Sequence, residues 1–147
     1  MIVTVNEASL AVAARIHALS WQDSHRAFCS EEFVRRHTVE HQQACLRAEM
    51  QAGKRVYLLV RHAPVGVVSV GDSLIENLYV LPAEQNRGCG TELLRFAVSQ
   101  CAGLPRLYVL DNNLRAQALY VRYGFRLSGR SNPITETLSE LEMVRQW

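Results

Sequence analysis

Residues 85–91 read Gln-Asn-Arg-Gly-Cys-Gly-Thr, a set of side chains suited to holding an anion. Gly88 and Gly90 let the backbone approach a ligand closely, and Arg87 adds a formal charge beside them. The run before them, residues 75–81, is rich in Ile, Leu, Tyr and Val and reads as a strand. Pro82 ends it, because proline cannot donate to a ladder. After the glycines, Leu93, Leu94, Ala97, Val98 and Cys101 fall at the spacing of one helix face. The loop therefore opens a helix, whose first turn carries unpaired N–H groups and a partial positive charge. Phosphate or pyrophosphate is the anion that such a turn fits. Two glycines by themselves fit a ligand-free connection at least as well. Neither Gly-x4-Gly-Lys-Ser/Thr nor Gly-x-Gly-x-x-Gly occurs, so the P-loop and the dinucleotide fingerprint are both excluded.

A second constellation is His37-Thr-Val-Glu40-His41. It matches the inverted zinc-protease pattern, and two histidines at i and i+4 can share a metal. A catalytic zinc needs a third ligand, and no residue is nominated for it. The alternative is an exposed polar helix face with no metal, and this is the expectation. The four cysteines, Cys29, Cys45, Cys89 and Cys101, form no Cys-x-x-Cys pair and show no zinc spacing. They are expected to be free thiols of a cytoplasmic protein, with Cys89 present as a small side chain in its loop. His17 and His25 read as core or rim residues.

The chain has 147 residues, 48% of them hydrophobic, and a net charge of +2. That length and composition suit one domain, spanning residues 1–147, with a sizeable core. The charge is too small, and too evenly spread, to imply nucleic acid. No apolar run is long enough to cross a membrane, and no signal peptide is evident.

The elements that must position these residues follow in order. Residues 2–5 read as a short strand, with Asn6 as the N-cap of a helix that fades over 20–23. Ser30 and Thr38 open two further helices with carboxylates in their first turns, and Gly53 stops the second of them. Residues 55–61 and 65–70 are strands, near-continuously apolar and so covered on both faces. The strand at 75–81 and its helix come next, then a strand at 106–110 and a helix over 113–123. Strands at 125–130 and 138–145 close the chain around a polar loop, 131–137. The order predicts a single-domain α/β fold: a mixed, mostly antiparallel sheet of about seven strands with helices on both faces.

The loop Gln85-Asn86-Arg87-Gly88-Cys89-Gly90 resembles the Gln/Arg-x-x-Gly-x-Gly/Ala motif of the GNAT superfamily of acyl-CoA N-acyltransferases. Downstream, Asn113-x-x-Ala116-x-x-Leu119-Tyr120-x-x-Tyr123-Gly124-Phe125 is similar to that family's second signature. The strand and helix order is also similar, over nearly the whole chain. The resemblance implies an N-acetyltransferase using acetyl-CoA. The cofactor's pyrophosphate would sit on the N–H groups of Gln85, Asn86, Arg87, Gly88, Cys89, Gly90 and Thr91. Its pantetheine arm would pair with the backbone of the Leu78-Tyr79-Val80 strand, whose edge is exposed in the family because the strand splays from its neighbour. Asn113 and Ala116 would touch the arm from the other side. Tyr120 matches the tyrosine that the family places near the CoA sulfur; the other reading of this residue is helix packing with Leu119 and Tyr123.

For the base, Glu76 is the first choice. It lies two residues before Leu78, which in a regular strand puts both side chains on one face. A solvated glutamate, with the proton lost to water, is the other reading. The family implies an acceptor pocket between the first helices and the last two strands, with Trp21, His25, Phe28 and Glu136 as candidates. Trp21 and Phe28 could equally be plain core. The acceptor is expected to be a small amine, an amino acid or a peptide amine, and the protein a monomer or homodimer. A non-catalytic acyl-CoA-binding domain is the alternative function.

Overall fold

A computed structural model describes residues 1–27 and 29–146. Phe28, one of the expected acceptor-pocket residues, lies outside the described residues. The strands are β1 (Ile2–Thr4), β2 (Arg55–Val60), β3 (Pro64–Gly71), β4 (Leu74–Val80), β5 (Arg106–Leu110), β6 (Phe125–Pro133) and β7 (Ser139–Arg145). The helices are α1 (Leu10–His25), α2 (Glu31–Arg35), α3 (Val39–Gln51), α4 (Cys89–Gln100) and α5 (Leu114–Arg122), with a 3-10 turn at Pro82–Glu84. The strands form one seven-stranded sheet in the order β1-β2-β3-β4-β5-β7-β6. Every neighbouring pair is antiparallel except β4 and β5.

Each face of this sheet buries its own apolar cluster. Beneath α4 lie Leu59, Val68, Val70 and Ile75, meeting Leu93, Leu94, Ala97 and Phe125. On the other face Val56, Leu58 and Val67 meet Leu10, Ala13, Ala14, Ile16 and Leu46 from α1 and α3. Strands β2 and β3 supply side chains to both clusters, which is why their sequences read as unbroken apolar runs. The expected caps at Ser30 and Thr38 form: their hydroxyls accept from the N–H groups of Phe33 and His41 at 3.2 and 3.1 Å.

Three local expectations fail. The α1 helix does not fade over 20–23 but continues to His25; tertiary ring stacking along that last turn outweighs its polar sequence. Asn6 is not the helix cap. Its carboxamide oxygen takes the N–H groups of Ala8 and Ser9 at 2.9 and 3.2 Å, closing a turn before α1, and Ser9 is the N-cap. Strand β6 runs past residue 130 to Pro133, because its ladder with β7 resumes at Ser131 after a register shift.

The feature that matters most for a site lies in β4. Its register against β3 slips between Val67 and Ser69, where Asn77 sits in the left-handed region at φ 55°. One extra residue on β4 makes this a β-bulge. The Asn77 amide group donates to Glu49 Oε2 and Ser69 Oγ, both at 3.2 Å, which holds the strained residue from two sides. The bulge breaks the alternation of side chains. Ile75, Leu78 and Val80 turn to the α4 face, and Tyr79 to the α1 face. The expectation that Glu76 and Leu78 share a face is therefore wrong, since Glu76 pairs with Lys54 on the α3 side of the sheet. On its other edge β4 pairs with β5 only at Leu74 and Ile75, so the two strands part beyond that point.

A β-branched residue is strongly disfavoured at positive φ. Asn77→Val is expected to lower the unfolding free energy by about 2–3 kcal/mol and Asn77→Gly by about half as much. Urea denaturation of both variants measures this; equal losses would place the contribution in the side-chain hydrogen bonds rather than in the backbone.

Candidate active site

The parting of β4 from β5 opens a cavity of about 1070 Å³. Its walls are β4 from Ile75 to Val80, β5 from Leu107 to Leu110, and α5 through Asn113, Ala116, Leu119 and Tyr120.

At one end stands the loop that opens α4. Gly88 is the N-cap at φ 83°, a conformation that glycine reaches without strain, and Asn86 is also left-handed at φ 66°. These turns leave a row of donors: among the described residues, the N–H groups of residues 86–91 make no hydrogen bond to the protein. Six successive free donors at a helix N-terminus form an anion cradle. Gln85 differs from its neighbours. Its N–H bonds Pro82 O at 3.4 Å, and its side-chain Nε2 donates to Val80 O at 3.1 Å. Arg87 points away from the cavity and pairs with Glu84 at 3.5 Å. The cation that does line this end is Arg115, on α5, whose guanidinium donates to Asn86 Oδ1. Sequence reasoning missed it, because no local pattern links residue 115 to residue 86.

Along the wall, Leu81 N–H is bonded to Val65 O at 2.9 Å. Peptide groups alternate along an antiparallel strand, so those of Val80 face the open edge. Across the gap, Asn113 Oδ1 accepts from Ala116 N–H at 3.2 Å and caps α5, so the side chain that lines the cavity also starts the helix that carries Tyr120.

At the far end two phenols meet, Tyr120 from α5 and Tyr79 from β4. Burial pushes the Tyr120 hydroxyl up to about 12. Burial first, and then Tyr120, raise Tyr79 still further, so both are neutral donors at pH 7. Tyr120 also packs edge-on against Phe125 at 6.0 Å, so its packing and its place in the cavity wall coexist.

Glu76 lines the cavity with its side chain one-third exposed and its carboxylate bonded to Lys54 Nζ. Burial tends to lower the Lys54 ammonium's pKa. The hydrogen bond and charge of Glu76, with Glu49 behind it, outweigh that and hold it above its ordinary value. Partial burial raises the Glu49 carboxyl, and the Glu76 charge adds to this against Lys54 and Asn77.

On the side where the acceptor is expected, the walls are Ser20, Trp21, Ser24 and His25 from α1 with Ile134, Leu138 and Glu140 near the β6–β7 turn. Glu136 is exposed and is not part of this wall; Glu140 stands there instead, because residues 134–138 form the hairpin turn itself. Trp21 is clamped between two imidazoles, His25 at 3.9 Å and His37 at 3.6 Å, both nearly parallel to it. Both indole faces are covered, so Trp21 offers the cavity an edge and not a stacking platform. His37 also bonds Phe33 O through Nδ1 at 3.1 Å, and His41 Nε2 lies 3.6 Å from Cys45 Sγ. The His37-x-x-Glu40-His41 pattern thus braces helices. Among the described residues no group of three His, Cys, Asp or Glu side chains is arranged to hold a metal.

Of the residues expected at the site, Trp21, His25, Glu76, Leu78, Tyr79, Val80, Gln85, Asn86, Gly88, Gly90, Thr91, Asn113, Ala116 and Tyr120 line this one cavity. Among the described residues Arg87, Cys89 and Glu136 do not. Cys89 is turned into the core beneath α4, 2% exposed.

Residues 44–127 match the family model for the acetyltransferase (GNAT) domain. The chain belongs to the GNAT acetyltransferase family. The enzyme class expected from the two motifs is thus the family's own. Solved GNAT folds superpose over nearly the whole chain. YncA of Salmonella typhimurium, determined with its cofactor acetyl-CoA, aligns with a TM-score of 0.74 at 18% identity, over 99% of this chain and 92% of that one. The PaiA N-acetyltransferase of Thermoplasma acidophilum, in complex with coenzyme A, gives 0.73 at 17% identity, over 100% and 98%. The ribosomal-protein-alanine N-acetyltransferase of Brucella melitensis gives 0.70 at 20%, over 100% and 99%. A search of curated protein sequences finds no match. No helix among the described residues is long and apolar enough to cross a membrane.

His17 stacks on Tyr79 at 4.9 Å. Burial first, then His37 and His25, lower its pKa from 6.5 to about 4. A histidine with a lowered folded pKa binds fewer protons when folded. Its contribution to stability is therefore complete above pH 6.5 and is lost as the pH falls toward 4. The size is roughly 3 kcal/mol. Wild type is expected to lose about that much more stability than His17→Phe between pH 7 and pH 4 in urea melts; parallel pH dependences would overturn the assignment.

Proposed function

We propose that this GNAT domain is an N-acetyltransferase that moves the acetyl group of acetyl-CoA to a primary amine by direct attack within a ternary complex. The observation that carries this reading is one continuous cavity, with six free N–H donors at one end, an unpaired strand edge along its wall and two neutral phenols at the other end. Residues 1–147 act as a single domain in this reading, in the cytoplasm, as a monomer or homodimer and without nucleic acid or membrane as partner.

Acetyl-CoA supplies an activated thioester and a good thiol leaving group. The residues of the chain bind and orient it. The N–H groups of residues 86–91 hold the pyrophosphate, with Arg115 adding positive charge. The open edges of Leu78 and Val80 pair with the amides of the pantetheine arm, as an added strand would. At Val80 the arm displaces the Gln85 side chain from the carbonyl. Asn113 and Ala116 close the arm in from α5.

Tyr120 donates a hydrogen bond to the sulfur as negative charge develops there. Full proton transfer is disfavoured. A phenol at about 12 facing a thiol of ~8.5 makes it uphill by roughly 5 kcal/mol. The proton of the attacking amine leaves through water in the open mouth. Glu76, paired with Lys54, receives it there from the α3 side of the sheet. The acceptor amine enters between α1 and the β6–β7 turn.

Tyr120→Phe is expected to lower kcat by about 100-fold and to leave the KM for acetyl-CoA nearly unchanged. The assay is thiol release from acetyl-CoA with a panel of amines; unchanged kcat would remove Tyr120 from the reaction. Acetyl-CoA at about 100 times its Kd should stabilise the protein by ~2.7 kcal/mol in thermal melts. Stabilisation without thiol release from any amine would leave a CoA-binding domain and no enzyme.

A further inference from the structure

Two polar atoms near the acceptor side have no protein partner among the described residues, His17 Nδ1 and Ser20 Oγ. They belong to residues only 6% and 2% exposed, three positions apart on α1 and thus on neighbouring turns of one helix face. Buried polar groups are almost always hydrogen-bonded, and an orphan needs a reason. Ser20 lines the cavity, and the His17 ring lies against Tyr79, which lines it too. His25 Nδ1 is within 2.9 Å of both Trp21 O and Ser24 Oγ.

We infer that His17 Nδ1 and Ser20 Oγ form an uncharged hydrogen-bonding subsite in the acceptor wall, and that the preferred amine carries a hydroxyl that fills it. A serine hydroxyl both donates and accepts, and a neutral imidazole nitrogen does one or the other according to its tautomer. Together they match a group that does both through one atom, which a hydroxyl does and an alkyl group does not. The subsite is selective against charge. The ionisable groups acting on His17 are His37 and His25, and burial keeps its ring neutral at pH 7. Among the described residues neither atom has a charged partner that would balance a carboxylate or a second ammonium. This inference rests on the acetyl-transfer reading above.

The test compares matched primary amines, ethanolamine against propylamine and serinamide against 2-aminobutanamide, in acetyl-CoA thiol-release assays with wild type, Ser20→Ala and His17→Phe. Wild type is expected to favour the hydroxylated member of each pair by about tenfold or more in kcat/KM, because a site built for a hydroxyl rejects the analogue that lacks it. Ser20→Ala should erase that preference. It should do so with an unchanged or higher Tm in the ligand-free protein, since it deletes an orphaned hydroxyl. His17→Phe checks the second member and should narrow the preference in the same direction. Equal rates for both members of each pair in wild type would overturn the subsite. A preference that survives Ser20→Ala would overturn it as well. A lower Tm in Ser20→Ala with unaltered selectivity would mean a resident water only, and again no subsite. No turnover of any amine, with acetyl-CoA still bound, is a different result: it removes the acetyl-transfer reading and this inference with it.

Discussion

The site depends on one irregularity, the bulge at Asn77. A regular β4 would pair with β5 along its length and would seal the space between them. The extra residue slips the register against β3, puts Ile75 and Leu78 on one face, and coincides with the point where β4 leaves β5. Such a bulge is a strained element, and surrounding contacts have to hold it. Glu49 and Ser69 do so through the Asn77 amide, while Lys54 holds the neighbouring Glu76. The end of α3 is in this way tied to the strand edge that the cavity requires. The scaffold on either side is rigid, because β2 and β3 are buried on both faces.

Charge is distributed along the cavity in a way that suits its two ends. The α4 terminus and Arg115 make one end positive without committing Arg87, which is paired to Glu84. The other end is kept neutral by burial, with Tyr79, Tyr120 and His17 all held in uncharged forms at pH 7. A neutral phenol can donate to developing charge, and a neutral imidazole can bond a polar substrate group, whereas ionised groups there would require counter-ions. The Trp21 clamp gives this wall its stiffness. Two imidazoles hold the indole, so α1 continues one turn beyond its apolar pattern and carries Ser20, Ser24 and His25 into the wall.

Much of this was legible in the residues. The strand, glycine turn and apolar helix face over residues 75–101 form as their periodicity requires, and Asn113 caps the helix that bears Tyr120. Periodicity depends only on local geometry, so it is written in the chain. Three site features were not legible. The bulge reverses the face of Glu76 relative to Leu78, and period-two reasoning cannot see an inserted residue. Arg115 replaces Arg87 beside the glycine loop that opens α4, because α5 folds across the gap. Glu140 replaces Glu136, because the register of the β6–β7 ladder decides which residues face inward.

The sequence by itself determined the order of elements, the sheet with helices on both faces, the donor-rich loop and the two motifs of the GNAT family. All of these follow from local spacing and residue type. The tertiary structure alone decided where β4 parts from β5, which charged side chains pair with one another, and which polar atoms are buried without a partner. Those outcomes depend on register and on contacts between residues far apart in the chain, and no window of sequence contains them.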